Sequence, residues 1–189
     1  MSIVNISKEN PVGLETLISL CKSDSGVNGL NLRKAHYELG AFLAQRIQKD
    51  LSLSEVTVII MMRAGLSFGL GIADEMEKQG INATLFFHYN DEQWQKEKGN
   101  SPSALERPLI IVDAVINTGK GILEFAQRLP KEQPVFFTAN VVSEKALNLF
   151  GNKNLYTIRV SQHSFIGSKL PAVQKGRGPD TGDRLFRTR

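Results

Sequence analysis

The stretch that decides the fold is PLIIVDAVINTGKGILEF, residues 108–125. Within it, an apolar run at 109–112 ends in Asp113, and small polar residues then lead into an amphipathic segment. Such a run is typical of a strand that is buried on both faces at the centre of a parallel sheet. Ligands bind such sheets at the carboxyl ends of the strands, and a helix beginning near Thr118 would direct unpaired backbone N–H groups at an anion there. The stretch therefore predicts a site for a phosphate and a neighbouring diol.

The composition is typical of one globular domain. With 189 residues, 41% of them hydrophobic, the chain can bury a sizeable core, and we expect residues 1–189 to form a single domain. No segment reaches the roughly 20 apolar residues of a membrane span, and residues 1–10 do not resemble a signal peptide. We therefore expect a soluble, cytoplasmic protein with no membrane partner. Cys21 is the only cysteine, which excludes an intrachain disulfide and disfavours a metal site built from cysteines.

The net charge of +4 leaves the kind of partner open. A basic surface suits a phosphorylated substrate, and it also suits nucleic acid. The basic residues concerned are Lys98, Lys175, Arg177, Arg184, Arg187 and Arg189. A merely solvated basic surface explains the same charge, so nucleic acid is not the favoured partner.

A second unit of strand, turn and helix comes earlier in the chain. Residues 55–62 contain the apolar run VTVIIMM and predict a strand, after which Arg63, Ala64 and Gly65 lead into a helix. A guanidinium beside a tight glycine turn suits a pyrophosphate, because backbone amides can approach it and the guanidinium can bind two oxygens. This unit predicts a pyrophosphate site.

The rest of the pattern alternates helices and strands. Apolar spacing predicts two more helices and three more strands, over residues 30–51 and 143–150 and over residues 82–88, 135–142 and 155–160. The alternation predicts an α/β fold with a mainly parallel, doubly wound sheet. If the strands at 55–62 and 109–112 are neighbours where the strand order reverses, Arg63 and Asp113 face one crevice.

Two polar segments carry weaker signals. Residues 89–107 show little periodicity and contain Gly99 and Pro102, which predicts a long flexible loop, either a functional flap or disorder. Trp94 in this segment could cover a site when the loop closes, or stack on the surface or at a subunit interface. Residues 161–189 are interrupted by Gly and Pro and predict a tail of loops and short elements.

Three separated stretches resemble one known family, the uracil phosphoribosyltransferases, which are type I phosphoribosyltransferases. They are RAGL at Arg63, IIVDAVINTGKG at Ile110 and PDTGDRLF at Pro179. Arg33 matches an arginine on the family's first helix, and the ordered combination covers nearly the whole chain. The resemblance implies a type I phosphoribosyltransferase-like sheet flanked by helices, with a small hood contributed partly by residues 161–189.

The resemblance also implies an activity. The family makes a nucleoside monophosphate from a free base and phosphoribosyl pyrophosphate (PRPP), and pyrophosphate is released. With uracil as the base, the product is UMP and the reaction belongs to pyrimidine salvage. The implied cofactor is Mg²⁺ bound through the pyrophosphate, with Asp180 as the one protein group near it, and the implied assembly is a homodimer or a higher homo-oligomer.

The matching positions imply roles for individual residues. Three residues would be catalytic: Arg63, which with Ala64 and Gly65 would bind the pyrophosphate, Asp113, which would engage the ribose hydroxyls, and Asp180, which would contact PRPP. The loop after Asp113 would hold the rest of PRPP, chiefly its 5′-phosphate, through Ala114, Val115, Ile116, Asn117, Thr118, Gly119, Lys120 and Gly121. The base pocket would be lined by the backbone around Gln174, Pro179, Asp180 and Thr181.

The chain departs from the family pattern at positions that bear on function. Asn90, after Tyr89, replaces an arginine, Lys120 replaces a loop glycine, and Pro179 replaces the glycine before the tail aspartate. Proline has no backbone N–H, so a base contact donated there would be lost. Two functions remain open: an active transferase, and a non-catalytic or regulatory protein that binds PRPP or a nucleotide and, in one version, RNA.

Overall fold

A computed structural model describes residues 3–9, 11–162 and 180–188. Within these ranges six strands form one sheet: β1 (Ile3–Asn5), β2 (Glu55–Met61), β3 (Asn82–His88), β4 (Leu109–Ile116), β5 (Val135–Ser143) and β6 (Asn154–Ser161). Their order is β1-β6-β5-β4-β2-β3, and every neighbouring pair is parallel. The predicted parallel α/β sheet is therefore confirmed.

Helices cover both faces of the sheet. The α-helices of the described ranges are α1 (Leu14–Cys21), α2 (Gly29–Leu51), α3 (Leu66–Lys78), α4 (Asp91–Asn100), α5 (Lys120–Ala126), α6 (Glu144–Leu147) and α7 (Thr181–Phe186). Buried residues of α1, α2, α3 and α7 share one core cluster, and those of α4, α5 and α6 share another. Short 3-10 helices span Ile6–Glu9, Ser23–Ser25, Pro102–Glu106 and Asn148–Phe150. None of the helices in the described ranges is long and apolar enough to cross a membrane.

The strand order reverses between β2 and β4, as predicted. Strand β2 pairs with β3 on one side and with β4 on the other, and its pairing with β4 ends at Ile60 and Val112. One expectation was wrong, because β4 does not end at Asp113. It continues to Ile116 in register with β5, so Asp113 lies where its neighbour β2 stops rather than at the end of its own strand.

The prediction of a long loop over residues 89–107 is wrong. The segment forms α4 and the 3-10 helix Pro102–Glu106, and the Asn90 side chain caps α4 by accepting a bond from the backbone N–H three residues on. Trp94 is fully buried and packs edge-on against Phe125, with ring centroids 4.9 Å apart, so it belongs to the core and does not cover a site. The helix escaped prediction because Trp94 is its only buried residue, which leaves no apolar stripe.

Helices α2 and α3 approach each other closely at two glycines. A Cβ built on Gly40 would overlap the carbonyl oxygen of Phe68, and one built on Gly71 would overlap that of Tyr37. In both places the nearest atoms belong to the backbone of the facing helix, which cannot rotate away as a side chain can. Glycine is therefore required for the spacing of these two helices.

We expect Gly71→Ala to lower the free energy of unfolding by about 1–3 kcal/mol, because the added methyl group must push two helix backbones apart. Urea denaturation followed by circular dichroism measures this. Gly99→Ala in α4 is the matched control, since a Cβ there meets no described atom within 4 Å and alanine is the better helix former. Equal losses of stability in the two variants would contradict the packing argument.

Candidate functional site

The carboxyl ends of β2 and β4 meet at the point where the strand order reverses, and the space beyond them is the candidate crevice. Arg63 follows β2, and Asp113 follows the last residue pair that joins β2 to β4. Helix α7 reaches the same crevice from the far end of the chain: a Cβ on Gly182 would lie 3.0 Å from the Asp180 carboxylate and 3.7 Å from the Arg63 side chain. The charge of Asp180 also acts on Asp113. The structure thus brings together the three residues predicted to be catalytic.

The Arg63 side chain is held by the segment that contains α7. Its Nη2 donates to Asp183 Oδ1 at 2.8 Å, and its Nη1 donates to Thr188 Oγ1 at 3.2 Å. Thr188 Oγ1 in turn donates to the same Asp183 oxygen at 2.6 Å. Because the Arg63 side chain is still 48% exposed, the guanidinium keeps an open side for a ligand.

The turn after β2 is tight, as the glycine at its end predicts. The Gly65 N–H donates to the Met61 carbonyl at 3.1 Å, and the Met62–Arg63 peptide is cis. A Cβ on Gly65 would lie 2.6 Å from that carbonyl and 3.0 Å from the Val112 carbonyl of β4. Only glycine fits there, and α3 begins at the next residue.

Asp113 is a half-buried carboxylate at the base of the crevice. Its Oδ1 accepts a bond from the N–H of Val115 at 3.3 Å. Burial, followed by repulsion from Asp180, raises the pKa of Asp113 to about 6, against the lowering effect of the Val115 and Ala114 backbone groups. Burial makes the ionised form of this carboxylate unfavourable. A ligand that donates hydrogen bonds to the carboxylate, such as a pair of ribose hydroxyls, stabilises that form.

The last part of β4, from Asp113 to Ile116, presents alternate residues to the crevice. The side chains of Ala114 and Ile116 are buried in the core, so these two predicted binding residues can reach a ligand only through their backbone. Val115 is half-buried, and Thr118 is exposed. This alternation follows from the strand geometry of β4, whose successive side chains point to opposite faces.

Helix α5 begins later than predicted, at Lys120 instead of near Thr118. Gly119 precedes it with a φ of +73°, a left-handed conformation that suits glycine, and a Cβ there would lie 3.1 Å from the Phe150 ring. The Ser143 hydroxyl donates to the Asn117 carbonyl and ties the loop to the end of β5. The loop is therefore anchored on both sides, with Lys120 and Gly121 exposed at the start of the helix.

Two arginines fasten α7 to the body of the fold. Arg33 Nη1 of α2 donates to the Leu185 carbonyl at 2.6 Å, so this arginine positions the tail helix. Arg184 of α7 donates to four oxygens in the segment between the end of α1 and the start of α2. They belong to Cys21, Lys22, Ser25 and Val27. Asp180 caps α7 by accepting from the Asp183 N–H at 3.0 Å, which fixes its carboxylate at the crevice.

A match to a protein-family model shows which family the chain belongs to. The family model described as uracil phosphoribosyltransferase matches residues 32–188, which include Arg63, Asp113 and Asp180. The chain belongs to the uracil phosphoribosyltransferase family. A comparison with curated proteins finds no match.

Two solved structures are similar to this member of the uracil phosphoribosyltransferase family. Hypoxanthine-guanine phosphoribosyltransferase from Schistosoma mansoni, in complex with IMP, is 13% identical, with a TM-score of 0.44 over 69% of this chain and 66% of that chain. The protein TT1426 from Thermus thermophilus is 14% identical, with a TM-score of 0.44 over 80% of this chain and 96% of that chain. The chain thus spans slightly less than two thirds of the length of the schistosome enzyme.

Among the described residues of this family member, no group of three or more His, Cys, Asp and Glu side chains could hold a metal ion. Asp113 and Asp180 bring two carboxylates to one crevice, where their mutual repulsion favours a neighbouring cation. One or two carboxylates together with substrate phosphates are the ligands that Mg²⁺ uses in phosphate-processing sites. The Asp180 carboxylate therefore fits a magnesium ion that arrives with its substrate.

Two predicted base-binding residues of this family member lie outside the described part of the chain, and the prediction omitted a residue of the site. Gln174 and Pro179 lie outside the described residues, whereas Thr181 is half-buried in the first turn of α7. Asp183, which holds Arg63, was not among the predicted site residues. Its signal was available in the motif PDTGDRLF, where it is the second of two acidic residues around a small-residue turn.

Proposed function

We propose that the chain is a phosphoribosyltransferase that transfers the phosphoribosyl group of PRPP to a free nucleobase and releases pyrophosphate. Uracil, which would give UMP in pyrimidine salvage, is the base that the family description indicates. The observation that carries the proposal is the meeting of Arg63, Asp113 and Asp180 in one crevice at the point where the strand order reverses. Ligands bind open α/β sheets at this point.

Asp113 is proposed to bind the ribose. Displacement at the anomeric carbon develops positive charge on the sugar, and a carboxylate that accepts hydrogen bonds from its hydroxyls stabilises that charge. The N–H of Val115 holds one Asp113 oxygen in place. Hydroxyl donors would offset the burial that opposes ionisation, so the carboxylate is better suited to the bound sugar than to the empty crevice.

Arg63 is proposed to bind the leaving pyrophosphate. The guanidinium is fixed by Asp183 and Thr188 and keeps an open side, while the Ala64–Gly65 turn brings the backbone close. Groups that neutralise the charge gathering on the leaving group lower the barrier without a protein nucleophile. Mg²⁺, proposed to bind through the pyrophosphate near Asp180, would neutralise the same charge when bound.

The loop from Asn117 to Gly119 is proposed to hold the 5′-phosphate. The left-handed conformation of Gly119 turns the chain between β4 and α5, and the exposed Thr118 hydroxyl lies at this turn. Turns of this kind can gather backbone N–H groups around an anion. Lys120, exposed at the start of α5, adds a cation beside it.

A second candidate is a regulatory protein that binds PRPP or a nucleotide without transferring it. One observation favours it: Asn90, at the position of the family's arginine, serves as the cap of α4 and brings no cation to the end of β3. In its nucleic-acid version this protein would also bind RNA, and that binding would weaken steeply as the salt concentration rises.

The test is pyrophosphate release from PRPP and Mg²⁺ with a panel of pyrimidine and purine bases, uracil included, beside calorimetric titration with PRPP. Release that depends on one base, and that is lost in Asp113→Asn, is the expected result. PRPP binding without release for any base would establish the second candidate. Absence of both binding and release would overturn the transferase and the PRPP-binding form of the second candidate, and titration with UMP and with RNA at low salt would then test its other forms.

A further inference from the structure

A small polar cavity lies next to the crevice, beneath the start of α7. Its volume is about 10 Å³, which is the space of roughly one water molecule. It lies against the carboxyl-terminal parts of β4, β5 and β6, and its lining includes Ser23, His36, Val115, Asn140, Arg159 and Thr181. Val115 lies in β4 two residues after Asp113, and Thr181 is a predicted base-binding residue. The cavity therefore adjoins the proposed substrate site.

Four polar side chains around this cavity have buried atoms without a partner among the described residues. His36 is 1% exposed and neither of its ring nitrogens is hydrogen-bonded, and Asn140 is 2% exposed with its Oδ1 unpaired. The Ser23 hydroxyl and the Arg159 Nε are buried and unpaired as well. Each such group costs free energy in the folded protein, and native proteins seldom tolerate them. An oxygen atom in the cavity, whether of a water molecule or of a ligand, would supply the missing partners.

The cavity is positively charged. Arg159 has no carboxylate within 4 Å in the described residues, and all 19 Asp and Glu residues of the chain belong to those residues. Arg184 contributes a second guanidinium, which is bonded only to uncharged oxygens. Asp24, the acidic residue that acts on both arginines, is exposed. The cavity therefore lacks a counter-ion.

The other titratable groups of the cavity are neutral. Burial, together with the charge of Arg184, lowers the pKa of His36 to about 3, so its imidazole carries no charge at neutral pH. Burial raises the pKa of the Cys21 thiol to about 11, so no thiolate compensates the arginines. Burial also lowers the pKa of Arg159, because it displaces water that would solvate the charge. An anion is the ligand that these surroundings favour.

Resting on the proposed transfer reaction, we propose that this cavity binds an acidic oxygen substituent of the base, so that the enzyme prefers a nitrogen heterocycle carrying a carboxylate to the uncharged uracil that the family description indicates. The size of the cavity admits one oxygen atom and excludes a ring, so the heterocycle itself stays in the crevice beside Thr181. Arg159 supplies the charge, and the His36 ring and the Ser23 hydroxyl supply hydrogen-bond donors. The Asn140 amide can present its nitrogen in place of its oxygen.

The test compares bases that differ in charge and little else. Pyrophosphate release is measured with nicotinate and with its uncharged isostere nicotinamide, and with orotate and uracil, which differ by one carboxylate. Of nicotinate and orotate, we consider the one that is used with the higher kcat/KM. We expect its kcat/KM to exceed that of its neutral counterpart by about 10- to 100-fold, the effect of one charge-assisted hydrogen bond. Equal use of both members of each pair, or a preference for the neutral members, would overturn the proposal.

Arg159→Gln tests the residue on which the charge argument depends. We expect this variant to lose the preference for the carboxylate and to melt at the same temperature as the parent or higher, because a half-buried cation without a carboxylate partner is removed. Arg128→Gln is the matched control: Arg128 pairs with Asp91 on the surface, and its loss should leave the preference intact. A preference that survives in Arg159→Gln would overturn the assignment.

Failure of this inference is distinguishable from failure of the proposed transfer. If PRPP binds and a neutral base is used best, the transfer function stands and the carboxylate assignment is wrong. If neither PRPP binding nor release is found, the transfer function fails, and calorimetric titration with nicotinate and orotate still tests the cavity. Carboxylate binding that is lost in Arg159→Gln would support the cavity on its own, and absence of binding would overturn it.

Discussion

Replacing Asp113 with asparagine is expected to lower the rate of pyrophosphate release by about 100- to 1,000-fold, the cost of losing one well-placed charged group at a reacting centre. Asparagine keeps the shape of the side chain and an oxygen that can accept the Val115 N–H. It carries no charge to oppose the positive charge that develops on the ribose. The loss should therefore fall on kcat and kcat/KM together, because the interaction is strongest in the transition state.

The same substitution is expected to make the folded protein more stable at neutral pH. Burial and Asp180 raise the pKa of Asp113 from 3.8 to about 6, so the unfolded chain gives up this proton at a lower pH than the folded chain. As the pH rises between those two values the unfolded state binds fewer protons, and stability falls. The full stability is present below about pH 4 and the loss is complete above about pH 6.

Asp113→Asn has no such proton, so its advantage over the parent should develop across this window and persist above it. The difference in free energy of unfolding should be near zero at pH 4 and reach about 1–3 kcal/mol at pH 7, reduced from the full shift because the side chain is half-buried. Denaturant unfolding of both proteins at several pH values measures it. Asp74→Asn is the control. Asp74 lies on α3, is half-buried and accepts a hydrogen bond from the Tyr37 hydroxyl of α2, so this variant should keep its turnover. A difference that does not change with pH would contradict the assignment.

The central strands were predictable because burial on both faces leaves long apolar runs in the sequence. The run VTVIIMM predicted both ends of β2 to within one residue, and the apolar run before Asp113 predicted the first residue of β4. The strand β1 left no comparable signal, since three residues at one edge owe their conformation to pairing with β6. The end of β4 was missed because Asp113 interrupts the apolar run although the pairing with β5 continues.

The site was predictable where backbone topology alone decides it. Parallel strands end at one edge, so the reversal of strand order was enough to place Arg63 beside Asp113. The partners of these residues were not predictable from local pattern. Asp183 lies 120 residues from Arg63 in the chain, and only the folded structure joins them. The cavity was missed because polar residues inside apolar elements, such as Asn140 in β5, resemble ordinary core or surface positions in the sequence.

Replacing Arg63 with glutamine is expected to lower kcat/KM for PRPP by about 100- to 1,000-fold, with a matching loss of affinity for pyrophosphate. Glutamine can donate a hydrogen bond, but it has no charge and cannot bind two phosphate oxygens at once. Arg63→Lys restores the charge without the planar fork, so we expect it to recover only part of the loss. Steady-state kinetics and calorimetric titration with pyrophosphate measure both effects.

A matched control separates this role from loss of an ion pair. Arg107 also pairs with a carboxylate, that of Glu55 at 3.2 Å, and donates to Thr84 at 3.0 Å, but these contacts lie at the amino ends of β2 and β3. Arg107→Gln should therefore cost a similar small amount of stability and leave turnover intact. Because Asp183 fixes the Arg63 guanidinium, Asp183→Asn should reduce turnover less than Arg63→Gln does. Normal pyrophosphate affinity in Arg63→Gln would show that the leaving group binds elsewhere, and the orientation of PRPP in the crevice would then have to be reversed.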